Sequence, residues 1–224
     1  MISKSRITVT SSGSGEREDA FVAREHSILV RVNGEAKLNL TCSDNNLPEL
    51  IAGRLFTDGF IANKDDILSL EIDEKHVIAE VKVQTNKKPE PTVFPDIVLD
   101  NKVVFCLAKV FSYDLPIHSH TQGTHCCFLS DQSGNILFSC EDISRYNSID
   151  KAIGYGVLQG LEMSDTILFT SGRVSELAVR KVLFAGIPVL ISKAVPSDKA
   201  IELAGRYKLK LVCRAYPDKY DLYE

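Results

Sequence analysis

The chain predicts an α/β protein in two parts, a small α+β N-terminal domain and a C-terminal three-layer α/β/α domain built on a mixed sheet. Three observations point there. Beyond Val103, short apolar runs alternate with helical periods, and the runs lack a polar face, as parallel strands buried on both sides do. Before residue 85 the apolar residues alternate instead, and Asn33-Gly34 interrupts them as a hairpin turn. Between the halves lies Asn86–Asp96, NKKPEPTVFPD, whose three prolines exclude a regular element. The resulting boundaries are 20–85 for the first domain, 86–102 for a proline-rich linker and 103–224 for the second.

Taken in order, SSGSGERE at 11–18 predicts a flexible polar lead-in. Ser27–Val32 is a strand and Glu35–Thr41 its return, with Leu38 and Leu40 alternating. Asn46 and Glu49 have capping-box spacing, with Pro48 in the first turn. Leu47, Leu50, Ile51 and Leu55 then face inward, and Gly59 closes the helix. Strands follow near Ile67–Ile72 and Val77–Val83, with Asp65 and Asp66 on a solvated face.

Val103–Phe111 predicts a helix with Val103, Leu107, Val110 and Phe111 inward. Cys126–Leu129 and Asn135–Phe138 are strands joined by a turn at Asp131–Gly134. A long helix follows Asn147, with Ile149, Ala152, Ile153 and Val157 on its apolar face. Thr166–Phe169 is a strand, followed by a helix with Val174, Leu177, Ala178, Val182 and Ala185 on one side. Ile187–Ile191, a helix from Ser197 through Arg206, and Leu209–Cys213 complete the chain, and right-handed crossovers place helices on both faces.

A length of 224 residues suffices for a sizeable core, with roughly 70% of the unfolded surface buried. The net charge of −4 gives no global pull toward nucleic acid or an anionic membrane. The start, MISKSRITVTSSGSG, has no apolar core of the signal-peptide type, and no window approaches a membrane span. A cytoplasmic location is therefore expected. Six cysteines are scattered, and Cys42, Cys106, Cys140 and Cys213 are expected as small core residues.

Polar clusters follow three strands, and parallel strands bring such exits to one edge. The first runs from Glu141-Asp142 through Lys151, where Asp142 and Asp150 are candidate acceptors for a base edge, a ribose hydroxyl or Arg145. Asn147 either caps its helix or meets the ligand, and Lys151 meets a phosphate or solvent. The second is Thr170-Ser171-Gly172-Arg173: Ser171 would cap a helix, Gly172 would let an anion reach the backbone, and Arg173 offers a fork for phosphate or carboxylate. The third is Ser192–Ser197, in which Ser197 caps a helix. Together they predict a site for an anionic, nucleotide-like ligand.

A second cluster holds His118, His120, His125, Cys126 and Cys127. Its spacing is not that of a structural zinc motif, and no directly bound metal is expected. A reactive thiolate of Cys126 or Cys127 near His125 is the catalytic candidate, and ordinary buried cysteines are the alternative. Walker, dinucleotide and nucleophile-elbow motifs are absent. The layered fold resembles that of cytidine deaminases and related zinc-dependent nucleobase deaminases. Their His-x-Glu and Pro-Cys-x-x-Cys elements are missing, so hydrolytic deamination is not expected.

The segment Glu141-Asp142-Ile143-Ser144-Arg145-Tyr146-Asn147-Ser148-Ile149-Asp150-Lys151 resembles the E-D-V-G-R-H-N-A-x-D-K motif of the FdhD/NarQ family of formate dehydrogenase accessory proteins. Ser171-Gly172-Arg173-Val174-Ser175-Glu176, the following Lys181, Ala185-Gly186-Ile187-Pro188 and Ala194-Val195-Pro196-Ser197 are similar to further family motifs. So are Thr121-Gln122-Gly123-Thr124-His125, Glu25, Val32-Asn33-Gly34 and Glu49-Leu50-Ile51-Ala52-Gly53. The resemblance extends over nearly the whole chain after residue 20.

It implies a cytoplasmic protein, usually a homodimer with a deaminase-like C-terminal domain. Such proteins take sulfur from a cysteine desulfurase and pass it to the molybdenum (or tungsten) bis-guanine-dinucleotide cofactor before its insertion into formate dehydrogenase. Carried over, His125, Asp142, Arg145, Asn147, Asp150, Lys151, Ser171, Gly172, Arg173 and Ser192 would line or support the cofactor pocket. The family's C-G-x-C-G sulfur-carrying loop is missing: the matching region, Asn86–Pro91, has no cysteine. Ser144 and Tyr146 also replace a glycine and a histidine of the long motif, and Gln122 replaces a glycine. The expected function is thus maturation of formate dehydrogenase with cofactor binding. Sulfur transfer would need Cys126 or Cys127. The alternatives are a non-catalytic protein binding a guanine nucleotide or molybdopterin dinucleotide, and a nucleotide-binding protein outside the molybdenum pathway.

Overall fold

In the computed structural model, residues 4–73, 75, 78–84, 90–111 and 116–223 are described. The chain begins with an antiparallel ribbon, β1 (Lys4–Thr10) and β2 (Arg17–Ala23), paired from Lys4↔Ala23 to Thr10↔Arg17. This corrects the flexible lead-in expected at 11–18. The Ser/Gly run is the turn, in which Gly15 takes a positive φ of 71°, and Arg17 and Glu18 already belong to the return strand.

β3 (His26–Val32) and β4 (Glu35–Cys42) form the expected hairpin. Asn33 and Gly34 both take positive φ, 53° and 82°, as a type I′ turn requires. α1 (Leu47–Thr57) follows, with Leu47, Leu50, Ile51 and Leu55 buried. Its expected capping box with Glu49 is not formed: Asn46 is left-handed (φ 52°), its side chain makes no cap bond, and its Oδ1 accepts from Asn45 instead. A capping box occurs at Asn63–Asp66, where Asp66 accepts from the N–H groups of Ala62 and Asn63. Asp66 is consequently buried rather than on a solvated face. β5 (Ile67–Asp73) and β6 (Ile78–Val83) complete a sheet of order β4-β3-β6-β5.

Within the proline-rich stretch, residues 86–89 lie outside the described residues and 90–96 have no regular structure. The stretch is tied down where the Phe94 N–H donates to Tyr207 O at 3.0 Å.

The second part comprises α2 (Asn101–Phe111), α3 (His118–Thr121), β7 (His125–Asp131), β8 (Ile136–Asp142), α4 (Arg145–Gln159), β9 (Thr166–Thr170), α5 (Glu176–Ala185), β10 (Val189–Ser192), α6 (Asp198–Tyr207), β11 (Lys210–Cys213) and β12 (Asp221–Tyr223). The sheet order is β12-β11-β10-β9-β7-β8. β9, β10 and β11 are parallel, while β7, β8 and β12 are antiparallel to their neighbours. This is the mixed α/β architecture expected. Strand alternation divides the core: Cys127, Leu129, Leu168, Leu190 and Leu211 join one layer, and Cys126, Phe128, Phe169, Ile191 and Val212 join the α2 layer.

Two helix starts differ from expectation. α4 opens at Arg145, so Asn147 lies inside it and does not cap it. α5 opens at Glu176, capped by Ser175, so Val174 precedes the helix in a bridge to Pro196, and Leu177 is exposed. Strand β12 was not legible as a strand.

The two sheets share one core, with α1 lying against α4. Gly53 and Gly154 make that approach possible. A Cβ on Gly53 would lie 1.8 Å from Asp150 O, and one on Gly154 1.8 Å from Glu49 O. Both obstacles are backbone, which no rotamer change relieves. Gly154→Ala is therefore expected to destabilise the protein by about 1–3 kcal/mol or more, read as a lower denaturant midpoint; an unchanged midpoint would show that the helices separate freely.

Candidate functional site: a cationic rim at the strand ends

Because β7 runs against both β8 and β9, its start lies beside their ends: His125 pairs with Asp142, and Cys127 with Thr170. The three expected polar clusters converge here. Lys193 N donates to Thr170 O (3.1 Å), and Ser192 Oγ donates to Gly172 O (2.8 Å). Ser171 Oγ accepts from Cys126 N (3.0 Å) and lies 3.3 Å from His125 Nδ1. Gly172 packs on Arg145, whose Cβ would lie 2.8 Å from a Cβ added there.

Local geometry alters the roles expected of this turn. Since α5 starts at Glu176, Ser171 caps no helix, and its hydroxyl serves Cys126 N and His125. Gly172 admits the Arg145 stem rather than exposing a helix N-terminus. Ser192 is fully buried and, besides its bond to Gly172, accepts from Ala194 N (3.0 Å), so it braces two loops and faces no ligand.

The groups exposed at the rim are cationic or hydroxylic. Arg173 is exposed and makes no hydrogen bond or ion pair with another described residue. Arg145 is half-buried; its Nη2 donates to the Tyr146 hydroxyl at 2.8 Å, and its Nε is closed off without a partner. Burial lowers the His125 pKa, the Arg145, His118 and Arg173 charges lower it further, and Asp142 opposes them. His125 is thus neutral near pH 7. Burial pushes the Tyr146 phenol up, but hydrogen bonds with Ser175 and Arg145 and the charges of Arg145 and Arg173 outweigh it, leaving the pKa below the ordinary value. Two guanidiniums, an imidazole and hydroxyls suit an oxyanion. Tyr146 and Ser175 were missed as rim residues. Their signal was adjacency: each sits in a motif that also carries a rim arginine.

Asp142, Asn147, Asp150 and Lys151 do not reach this surface, which corrects their expected contacts with a base, ribose or phosphate. All four are buried. Asp142 pairs with Lys151 Nζ at 2.7 Å and accepts from Ser43 N, Ser144 N and Asn147 Nδ2. Asn147 also donates to Thr41 O at 2.7 Å. Lys151 donates further to Asn45 Oδ1 (3.0 Å) and Glu141 O (3.2 Å). Asp150 accepts from Lys181 Nζ at 2.7 and 2.9 Å and from Thr57 Oγ1 at 2.9 Å. Glu141 is similarly committed, accepting from Ile117 N, His118 N and Thr124 Oγ1. These residues hold the turn from which Arg145 projects.

Cys126 and Cys127 are buried on opposite faces of the sheet. Burial pushes the Cys127 thiol up to about 12 and raises the Cys126 thiol well above its ordinary value. Burial thus disfavours the reactive thiolate expected beside His125. Cys106, expected in the core, is exposed on α2. Among the described residues, no three His, Cys, Asp or Glu side chains are grouped to hold a metal ion. Nor is any described helix long and apolar enough to cross a membrane.

The buried pairs give a direct test. Lys181→Met leaves the buried Asp150 carboxylate with Thr57 and only a distant cation, Arg54 at 4.0 Å, and is expected to cost about 3 kcal/mol. The Asp150→Asn, Lys181→Met double variant should recover part of that loss in chemical denaturation. Additive losses would show that the two side chains are energetically independent.

Residues 23–95 and 81–224 match the FdhD/NarQ family model. Over 225 aligned residues the chain is 30% identical to Protein FdhD of Methanocaldococcus jannaschii, covering 100% of this chain and 96% of that protein. It is 26% identical to the sulfur carrier protein FdhD of Bacillus pumilus, over 90% of this chain and 87% of that one. A solved structure, of a protein described as a formate dehydrogenase accessory protein from Desulfotalea psychrophila, superposes with a TM-score of 0.85 at 23% identity, covering 99% of this chain and 96% of that one. The aligned span embraces the first sheet, the proline-rich stretch and the rim together: the chain belongs to the FdhD/NarQ family.

Proposed function

We propose that this protein is an accessory factor for the maturation of formate dehydrogenase, and that its cationic rim holds the molybdenum bis-guanine-dinucleotide cofactor as cargo. The observation that carries this reading is the meeting of Arg145, Arg173 and His125 where three strand ends converge. Guanidinium forks match phosphate oxygens in shape and charge. Arg145 spends only Nη2 on a protein partner, the Tyr146 hydroxyl, so its Nη1 donors are not engaged by another described residue. If Ser171 donates to His125 Nδ1, the imidazole carries its proton on Nε2 and becomes a further neutral donor. The cofactor would bring the metal chemistry of the client enzyme; the rim residues bind and orient its phosphates.

Binding, rather than sulfur carriage by Cys126 or Cys127, is what the buried thiols favour. A persulfide forms through a thiolate, and burial suppresses that species. Incubation with a cysteine desulfurase and cysteine should leave both thiols unmodified by intact mass and peptide mapping. A sulfur adduct that vanishes in Cys127→Ala or Cys126→Ala would restore the catalytic alternative.

For the rim, calorimetric titration with guanosine diphosphate should show Arg173→Ala losing at least about tenfold in affinity, about 1.4 kcal/mol. Its melting temperature should hold, because Arg173 is exposed and pairs with no other described residue. Unchanged affinity would remove Arg173 from the site.

A further inference from the structure

Arg145 is held in place by its neighbour. The guanidinium carbon lies 4.6 Å from the centre of the Tyr146 ring, and Nη2 donates to the Tyr146 hydroxyl at 2.8 Å. That hydroxyl is 2.9 Å from Ser175 Oγ. Ser175 Oγ in turn accepts from Ala178 N as the cap of α5. A continuous line of contacts therefore joins the start of α5 to the arginine, through one serine and one phenol.

A phenol oxygen offers two acceptor sites and one proton. Arg145 fills one acceptor site. The Ser175 hydroxyl fills the second when it donates to the phenol while accepting from Ala178 N. The Tyr146 proton is then left for a third partner. The rim supplies the setting for a bound oxyanion, with Arg173 on the β9–α5 loop and His125 at the start of β7.

We propose that Tyr146 belongs to the phosphate site, fixing the Arg145 fork through its Ser175-backed hydroxyl and donating its own proton to a bound phosphate oxygen. The inference rests on the rim being a nucleotide site, and it adds a residue at which this chain departs from the histidine of the family motif. The depressed phenol pKa agrees with the geometry. The charged groups that act on Tyr146 are Arg145 on α4 and Arg173 on the β9–α5 loop. Two nearby carboxylates are otherwise engaged: Glu176 by Arg180 at 2.6 Å and Asp142 by Lys151 at 2.7 Å.

The test is calorimetric titration of guanosine diphosphate into the full-length wild type, Tyr146→Phe, Ser175→Ala and the double variant, at pH 7 and pH 9. Tyr146→Phe keeps the ring over the guanidinium and removes the hydroxyl. It is expected to weaken binding about fivefold at pH 7, with little change in melting temperature. Ser175→Ala should lower both affinity and melting temperature, since it also loses a helix cap. The double variant should bind no more weakly than the worse single one. From pH 7 to pH 9 wild-type binding should weaken more than that of Tyr146→Phe, because a phenol held below its ordinary pKa gives up its proton sooner and its charge repels the anion. Tyr146→Phe that binds like wild type at both pH values overturns the inference and leaves the Arg173 site standing. Wild type that binds no guanosine diphosphate overturns the site and this inference together.

Discussion

The neutralisation of charge inside helix α4 is the condition on which the rest of the structure depends. Asp150 and Lys151 are neighbours in the chain, both fully buried, and they turn to different partners. Lys151 reaches Asp142 at the end of β8, and Asp150 reaches Lys181 on α5 and Thr57 on α1. An unpaired charge at either position would cost several kcal/mol. Helix, sheet end and first domain are therefore locked in one arrangement. Arg145 and Tyr146, in the first turn of the same helix, inherit their position from that lock.

Much of this was legible in the sequence because local rules and tertiary demands agree. The Asn33-Gly34 turn, the apolar runs that became β9, β10 and β11, and Ser197 as a cap all follow from short-range physics. The errors arise where a distant partner overrides the local signal. Asn147 looks like a cap, yet its amide serves Thr41 O and Asp142 instead. Asp142 and Asp150 look like ligand acceptors because sequence shows their charge and not the lysines that consume it. Ser171 looks like a helix cap because serine, glycine and arginine follow an apolar strand; the helix waits for Ser175. The place of the rim was readable from strand exits, whereas its lining required side-chain directions.

Sulfur chemistry illustrates the same limit. Adjacent Cys126 and Cys127 near His125 read as reactive only while their surroundings are unknown. A strand buried on both faces sends one thiol into each core layer, where its ionised form is disfavoured. Their packing makes them small side chains enclosed in a sheet.

The contact of Gly53 with Gly154 bears on how a large guest could be admitted. With backbone pressed on backbone between α1 and α4, no side chain fits between the two halves at this crossing. If the rim holds its proposed cargo, adjustment around that guest would fall first to the short loops bearing Arg173 and Lys193.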